Sequence, residues 1–168
     1  NFDQECVDFI RRIILSIEDS FQSDQSPIEP LTILQQLLQV LEDQCPNERY
    51  AYIFMVIQGL IKYKADELVE EAESLLKATI IYGAEVYNDD DFDSVTDMEY
   101  IASIAGDFAG ELKMPRFIKL VQSLAPTEGA EELSVSYACV LYHSIDECKE
   151  EVANDLKPIV ETVIAFLN

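Results

Sequence analysis

The feature that most constrains the fold is a helix-pair pattern that occurs twice in the second half of the sequence. In each copy, a helix with small residues precedes a helix that has a proline near its start. The first helices of the two pairs correspond at five positions: Ile101, Ala102, Ala105, Ala109 and Leu112 in one copy match Tyr137, Ala138, Leu141, Ile145 and Cys148 in the other. The second helices also correspond at five positions: Pro115, Phe117, Leu120, Val121 and Leu124 match Pro158, Val160, Val163, Ile164 and Leu167. A repeated helix pair predicts units stacked on a continuous core rather than a closed globule.

Apolar residues at helical spacing also run through the first half of the chain and predict four more helices there. The first begins near Asp3, which is placed to cap its free amides. The second lies between Pro27 and Pro46. Asn47 and Asp66 are placed to cap the third and fourth helices.

An acidic segment interrupts the helical pattern near the middle of the chain. Residues 88–93 read Asn-Asp-Asp-Asp-Phe-Asp. We expect a loop there, because adjacent like charges repel and Asn and Asp side chains compete for backbone hydrogen bonds. No segment shows the alternation of a strand, so the sequence predicts an all-α class. The expected architecture is an α-α superhelix of about eight antiparallel helices, one domain over residues 1–168, and a fragment of a longer solenoid.

The charge balance limits the partners that the chain can attract. There are 33 acidic and 11 basic residues, which give a formal net charge of −22. A charge of this size repels phosphate backbones and anionic membranes over about a Debye length, ~10 Å. We therefore expect no direct nucleic-acid or membrane partner. A basic protein or peptide is the complementary partner, although a high charge can also serve only to keep chains apart.

Several sequence signals bear on the compartment. No run approaches the roughly 20 apolar residues of a membrane helix, and no charged leader with an apolar region opens the chain. No Asn-x-Ser/Thr acceptor is present. The four cysteines lie among helix-type residues without tight pairing, which predicts reduced thiols and a cytoplasmic and nuclear location. They are Cys6, Cys45, Cys139 and Cys148.

A unit of about 40 to 47 residues with small residues on one helix and an early proline on the other resembles a HEAT repeat. The segment DDDFDSVTDMEYIASIAGDFAGELKMPRFIKLVQSLAP, followed by SVSYACVLYHSIDECKEEVANDLKPIVETVIAFL, resembles the importin-β (karyopherin-β) superfamily. In that family an acidic interruption precedes an inner helix, and an outer helix with early prolines follows. The resemblance is clearest over residues 89–167, roughly half of the chain.

The resemblance implies a nuclear transport receptor whose inner helices line a concave surface for basic cargo or the small GTPase Ran. Many family members bind basic signals through tryptophan and asparagine ladders, but this chain has no Trp. Acidic side chains would then hold Lys and Arg in a salt-sensitive contact. The expected partner-binding residues are Glu99, Ser103, Asp107 and Glu111 on one inner helix, His143 and Glu147 on the next, and Asp89, Asp90, Asp91 and Asp93 in the acidic loop.

A magnesium site is the main catalytic alternative. Asp89, Asp90 and Asp93 spell the Asp-Asp-x-x-Asp string with which the all-α isoprenyl diphosphate enzymes hold magnesium. Such sites need a second acidic cluster and basic residues for the diphosphate, and the sequence offers neither nearby. A solvated acidic loop is the simpler interpretation.

Two further patterns suggest chemistry and have structural explanations. Cys139 lies one helical turn before His143, so a thiol and a base could share a face. No glycine-rich oxyanion loop accompanies them, and with Cys148 they fall short of a four-ligand zinc site. We interpret His143 as a surface or groove residue.

An aromatic stripe at helical spacing indicates core rather than a peptide groove; its members are Tyr50, Tyr52, Phe54 and Tyr63.

These patterns favour a protein-interaction module that is not an enzyme and uses no cofactor. The leading hypothesis is part of a nuclear transport receptor that binds basic cargo or Ran along acidic inner helices. A structural HEAT scaffold segment of a larger complex is the second hypothesis, and a magnesium-dependent all-α enzyme is the third.

Overall fold

The computed structural model describes residues 4–22, 29–43, 45–88, 90–110, 114–125, 131–147 and 156–167. Every regular element within these ranges is helical, and none of the described residues lies in a β-strand. The all-α class predicted from the sequence is therefore confirmed.

The described helices are numbered in chain order. Their bounds are α1 Gln4–Gln22, α2 Pro30–Glu42, α3 Tyr50–Leu68, α4 Ala72–Val86, α5 Phe92–Ala109, α6 Met114–Leu124, α7 Glu131–Glu147 and α8 Leu156–Leu167. Short 3₁₀ turns, Asn47–Arg49 and Val69–Glu71, precede α3 and α4. The contacts of the chain form two compact units, Asn1–Leu75 and Leu76–Asn168, which are described separately. A single stack over residues 1–168 stays a prediction.

In the first unit, α3 packs against both α1 and α2. The α1–α3 contact is close, because a Cβ atom at Gly59 would meet the Ile14 side chain at 3.0 Å. One turn further along each helix, the Tyr63 hydroxyl donates a hydrogen bond to Glu18 Oε2 at 2.8 Å. Contacts therefore advance in the same direction along both helices, so α1 and α3 run parallel. The core of this unit contains Leu34, Leu41, Phe54, Ile57, Leu60 and Leu68.

In the second unit, α5 packs against α7, and α6 lies against α8. A Cβ atom at Gly83 of α4 would meet Ser136 Oγ at 2.5 Å and Met98 Cγ at 3.6 Å, so the first half of α5 lies level with the start of α7. A Cβ at Gly106 would meet the His143 carbonyl oxygen at 2.9 Å, so the later parts of the same two helices also touch. The helices α5 and α7 are therefore parallel neighbours.

Buried small and hydroxyl residues allow the close approach of α4 to α7. Ser136 is fully buried, and its hydroxyl donates a hydrogen bond to the Ile80 carbonyl at 2.8 Å. Thr79, also fully buried, donates to the Leu76 carbonyl within its own helix at 2.8 Å. Both hydroxyls thus have partners, which removes most of the cost of burying them.

Several helix starts differ from the sequence expectation. Asp66 was expected to cap the fourth helix, but it lies inside α3, and α4 begins at Ala72 after a 3₁₀ turn. The chain bends earlier than expected, at Lys64, whose φ of −147° and ψ of 30° are not helical. Asn47 begins a 3₁₀ turn, and Arg49 is the residue that precedes α3. The expected cap Asp3 lies outside the described residues.

The start of α5 is defined by an aspartate cap. The Asp91 carboxylate accepts a hydrogen bond from the Asp93 amide at 3.1 Å, and α5 begins at Phe92. Asp93, which was expected in the acidic loop, instead lies in the first turn of this helix. The helix can begin at Phe92 because the Asp91 carboxylate satisfies one of its free amides. The negative charge of Asp93 in the first turn is also favoured by the helix dipole.

The repeat match after residue 89 holds for some positions and not for others. Ile101 and its counterpart Tyr137 are both buried. Ala102 is fully buried, whereas its counterpart Ala138 is exposed. In α8, Val160 and Ile164 expose 43% and 53% of their surface. Side-chain type and spacing therefore match more closely than burial does.

Candidate functional site

The expected site residues on α5 lie along one outward stripe. Glu99, Ser103 and Asp107 are each four residues apart, which places them on one face of a helix. Glu99 and Asp107 are exposed. Ser103 is half-buried, and its hydroxyl donates to the Tyr100 carbonyl at 2.7 Å. The two carboxylates are thus the parts of this stripe that a partner can reach. Glu111 lies outside the described residues.

On α7, exposed side chains lie at one of the two expected positions and beside both of them. His143 is half-buried and Glu147 is exposed. Tyr142 and Asp146, one position earlier in each case, are both exposed, and Tyr142 shows 65% of its surface. The Tyr142 ring meets the His143 ring edge-on, with centroids 5.2 Å apart. The sequence did not single out Tyr142 and Asp146, because their exposure follows from the burial of Val140 and Ser144 on the opposite side of α7, which only the structure shows.

The α5 and α7 stripes lie side by side. Gly106 brings the backbones of the parallel helices together at His143. Nearer the start of α5, the Glu99 carboxylate is close enough to Cys139 to affect its ionisation. We call the surface formed by Glu99, Ser103, Asp107, Tyr142, His143, Asp146 and Glu147 the α5–α7 face.

The charged side chains of the α5–α7 face include four carboxylates and no Lys or Arg. The sequence has no Lys or Arg over residues 78–112 or 120–148, where it has nine and five acidic residues respectively. The Lys and Arg residues of the described second unit lie on α4, α6 and α8; they are Lys77, Arg116, Lys119 and Lys157. Burial, together with the charge of Asp107, raises the pKa of Tyr100, so its phenol is neutral. A cation approaching α5 and α7 therefore meets carboxylates without a competing positive side chain on either helix.

A second acidic region lies where α4 joins α5. Tyr87 and Asn88 line a depression of about 270 Å³ together with Glu131 and Glu132 at the start of α7. Of the expected loop residues, Asp90 and Asp91 are exposed beside it along the chain, and Asp89 lies outside the described residues. Asp93 is exposed at the start of α5, the same helix that carries Glu99 and Asp107.

The half-buried Asp97 shows the effect of this negative environment. Burial raises the pKa of its carboxyl group, and the neighbouring charges of Asp93 and Asp91 raise it further. The field of the acidic turn therefore extends into the second turn of α5.

Two observations on the described residues bear on the catalytic alternatives. Burial raises the pKa of the Cys139 thiol, and the Glu99 carboxylate raises it further, so the thiol beside His143 is neutral rather than a nucleophilic thiolate. Cys45 and Cys139 are free thiols. Within the described ranges, no three His, Cys, Asp or Glu side chains converge in a way that could hold a metal ion.

The aromatic stripe of α3 belongs largely to the core. Tyr50 and Phe54 are buried. Tyr52 and Tyr63 are half-buried, and the Tyr63 hydroxyl is engaged by Glu18. This part of α3 therefore stabilises the first unit and offers no open aromatic groove.

Comparison with known proteins gives no relative. No protein-family model matches the chain, and no curated protein or solved structure matches it either. Among the described helices, none combines the length and apolar character that crossing a membrane requires.

Proposed function

We propose that this chain is a HEAT-type protein-interaction module whose α5–α7 face binds a basic segment of a partner protein. The observation that carries the proposal is the pairing of two parallel helices whose outward stripes carry carboxylates and no Lys or Arg. Opposite charge steers a basic partner to such a surface and raises the association rate.

The helix neighbours support a HEAT-type stack. In such a stack, equivalent helices of successive repeats lie side by side and run in the same direction. This is the relation of α1 to α3 and of α5 to α7. The contacts of residue 14 with 59 and residue 18 with 63 both join positions 45 residues apart, which fits the 40–47-residue HEAT period. The contact of residue 106 with 143 joins positions 37 apart, a shorter unit.

Within this proposal, the resemblance to the importin-β superfamily indicates basic transport cargo or Ran as partners and a cytoplasmic and nuclear location. The acidic residues of α5 and α7 would replace the tryptophan-based recognition of other members. The binding residues are Glu99, Asp107 and Glu147, with Tyr142 offering a ring face to a Lys or Arg side chain.

The test is titration of a labelled lysine-rich peptide, and separately of Ran, at 50 and 300 mM salt. We expect peptide binding that weakens with salt, because the contacts are exposed ion pairs. The double variant Glu99→Gln/Asp107→Asn should weaken binding about fivefold at low salt, the equivalent of about 1 kcal/mol for two exposed pairs.

A matched control distinguishes the face from net charge. Glu42→Gln/Glu48→Gln removes two exposed carboxylates from the first unit and should leave affinity within about 1.5-fold of the parent chain. Equal weakening by both double variants would contradict a localised site. Binding of neither peptide nor Ran at 50 mM salt would rule out the binding proposal.

In that event the scaffold hypothesis is the better one. The observation that favours it is the exposed apolar pair Val160 and Ile164, one helical turn apart on α8, since adjoining apolar side chains at the surface can form a contact patch for another protein. The magnesium hypothesis is tested by thermal melting: millimolar Mg²⁺ should not shift the melting temperature. A shift that is lost in Asp89→Asn/Asp90→Asn would revive it.

A further inference from the structure

Several hydrogen bonds tie the α4–α5 turn, of which Tyr87, Asn88, Asp90 and Asp91 are described, to α5, and the Ser94 side chain makes three of these contacts. Ser94, in the first turn of α5, accepts a hydrogen bond from the Asn88 amide at 2.9 Å. Its hydroxyl also lies 2.7 Å from both the Asn88 and Asp91 carbonyl oxygens, and its one proton can be donated to either of them. The backbone adds a bond from the Asp91 amide to the Asn88 carbonyl at 3.0 Å.

The charges of this segment oppose the closed turn. Asp90, Asp91 and Asp93 lie within four residues of one another, and adjacent carboxylates repel. A neutral hydroxyl that both donates and accepts can bind the turn backbone without adding to this charge. Asn88 contributes as well, because its Oδ1 accepts from the Asp90 amide at 3.2 Å.

The same turn forms one wall of the acidic depression. Asn88 is held at its amide and its carbonyl by Ser94, and it lines the depression with Tyr87. The other wall is the start of α7, with Glu131 and Glu132. Any movement of the turn away from α5 therefore changes the shape of the depression.

We propose that Ser94 is a latch that holds the α4–α5 turn against α5 and so keeps the depression between the turn and α7 in its closed form. Releasing the latch lets the turn open locally while α5 and α7 stay packed, because their contact depends on Gly106 and on buried residues such as Ile101 and Val140. This local opening lies at the low end of the range of opening free energies in a folded protein.

The test is amide hydrogen exchange of the full chain, followed by NMR, with Ser94→Ala. We expect exchange at Asn88 to accelerate about tenfold, the equivalent of about 1.4 kcal/mol for the hydrogen bonds lost. Amides of buried residues in the middle of α5 and α7, such as Ile101 and Val140, should be unchanged, and the Glu131 and Glu132 amide shifts should move.

Two variants make the result specific. Thr96→Ala removes a neighbouring hydroxyl that bonds only along its own helix, to the Phe92 carbonyl at 3.0 Å, and it should leave Asn88 exchange unchanged. Ser94→Thr retains the hydroxyl and should restore most of the protection. Unchanged Asn88 exchange in Ser94→Ala would overturn the latch. Faster exchange throughout α5 and α7 would also overturn it, because it would mean that Ser94 stabilises the whole unit. Equal acceleration of Asn88 exchange in Thr96→Ala would overturn it as well.

Discussion

At the scale of single residues, the closest helix contacts depend on side chains that are absent or very small. Gly83 lies against Ser136, and Gly106 against the His143 backbone. The sequence predicted small residues where helices approach, and Ala102 and Ala105 are indeed buried on α5. It could not indicate that Gly83 is a contact point, because that depends on which residue of α7 lies opposite.

Gly83→Ala should destabilise the second unit by about 1–3 kcal/mol, the usual cost of overfilling a packed contact. The added methyl would meet Ser136 Oγ at 2.5 Å, and the hydroxyl would have to give up its bond to the Ile80 carbonyl. Chemical denaturation measures the change. Gly110→Ala is the control, because its Cβ meets nothing nearer than the Asp107 carbonyl at 4.0 Å; equal loss in both variants would contradict the contact.

Asp97→Asn should stabilise the protein at neutral pH. Because the pKa of Asp97 is raised on folding, the folded state holds its proton more tightly, and stability falls as pH rises from the unfolded to the folded pKa. The gain at pH 7 should stay below about 1 kcal/mol, since the group is partly solvated. It should disappear near pH 3.5, below the ordinary value of 3.8. Thermal melts of both proteins at the two pH values measure it, and a gain that is larger in acid would contradict the assigned direction.

At the scale of elements, periodicity located the helices well and their starts less well. Apolar spacing predicted α1, α2 and α5 because each buries one stripe of its surface. Capping residues were harder to place: Asp66 has the chemistry of a cap but lies inside α3, where the bend at Lys64 and the 3₁₀ turn Val69–Glu71 delay the next helix. Such bends come from tertiary packing, which local sequence does not contain.

Asp91→Ala should cost about 1 kcal/mol of stability, because it removes the side chain that caps α5. The neighbouring Asp90→Ala removes one exposed acidic charge from the same turn without removing a cap, and it should be neutral or slightly stabilising. Urea denaturation of the two variants measures the difference. Equal effects would mean that charge, and not capping, determines the start of the helix.

At the scale of the whole molecule, the sequence predicted the helical class and the excess of negative charge. The expected site residues on α5 lie together on its outward stripe because a four-residue spacing fixes a helix face whatever the packing. On α7, Glu147 is exposed and His143 is half-buried, while Tyr142 and Asp146, which the sequence did not single out, are exposed beside them. The rotation of a helix about its own axis depends on which side its neighbours cover, and spacing alone cannot define it.

Added salt should stabilise the protein. With a net charge of −22, the folded chain brings like charges together, and screening reduces their repulsion. Raising NaCl from 20 to 300 mM should increase the melting temperature by about 2–4 °C, the equivalent of about 1 kcal/mol for a chain of this size. Scanning calorimetry measures the shift. A fall in melting temperature would show that exposed ion pairs such as Lys64–Glu67 outweigh the repulsion.

The absence of Lys from α5 and α7 also limits how the α5–α7 face can be regulated. Acetylation, methylation and ubiquitination all act on lysine amines, so none of them can alter this surface directly. Amine-reactive crosslinkers will likewise miss it, whereas carbodiimide coupling would join its carboxylates to the lysines of the proposed partner. In the proposed complex, lysine modifications that weaken binding would therefore lie on the basic member.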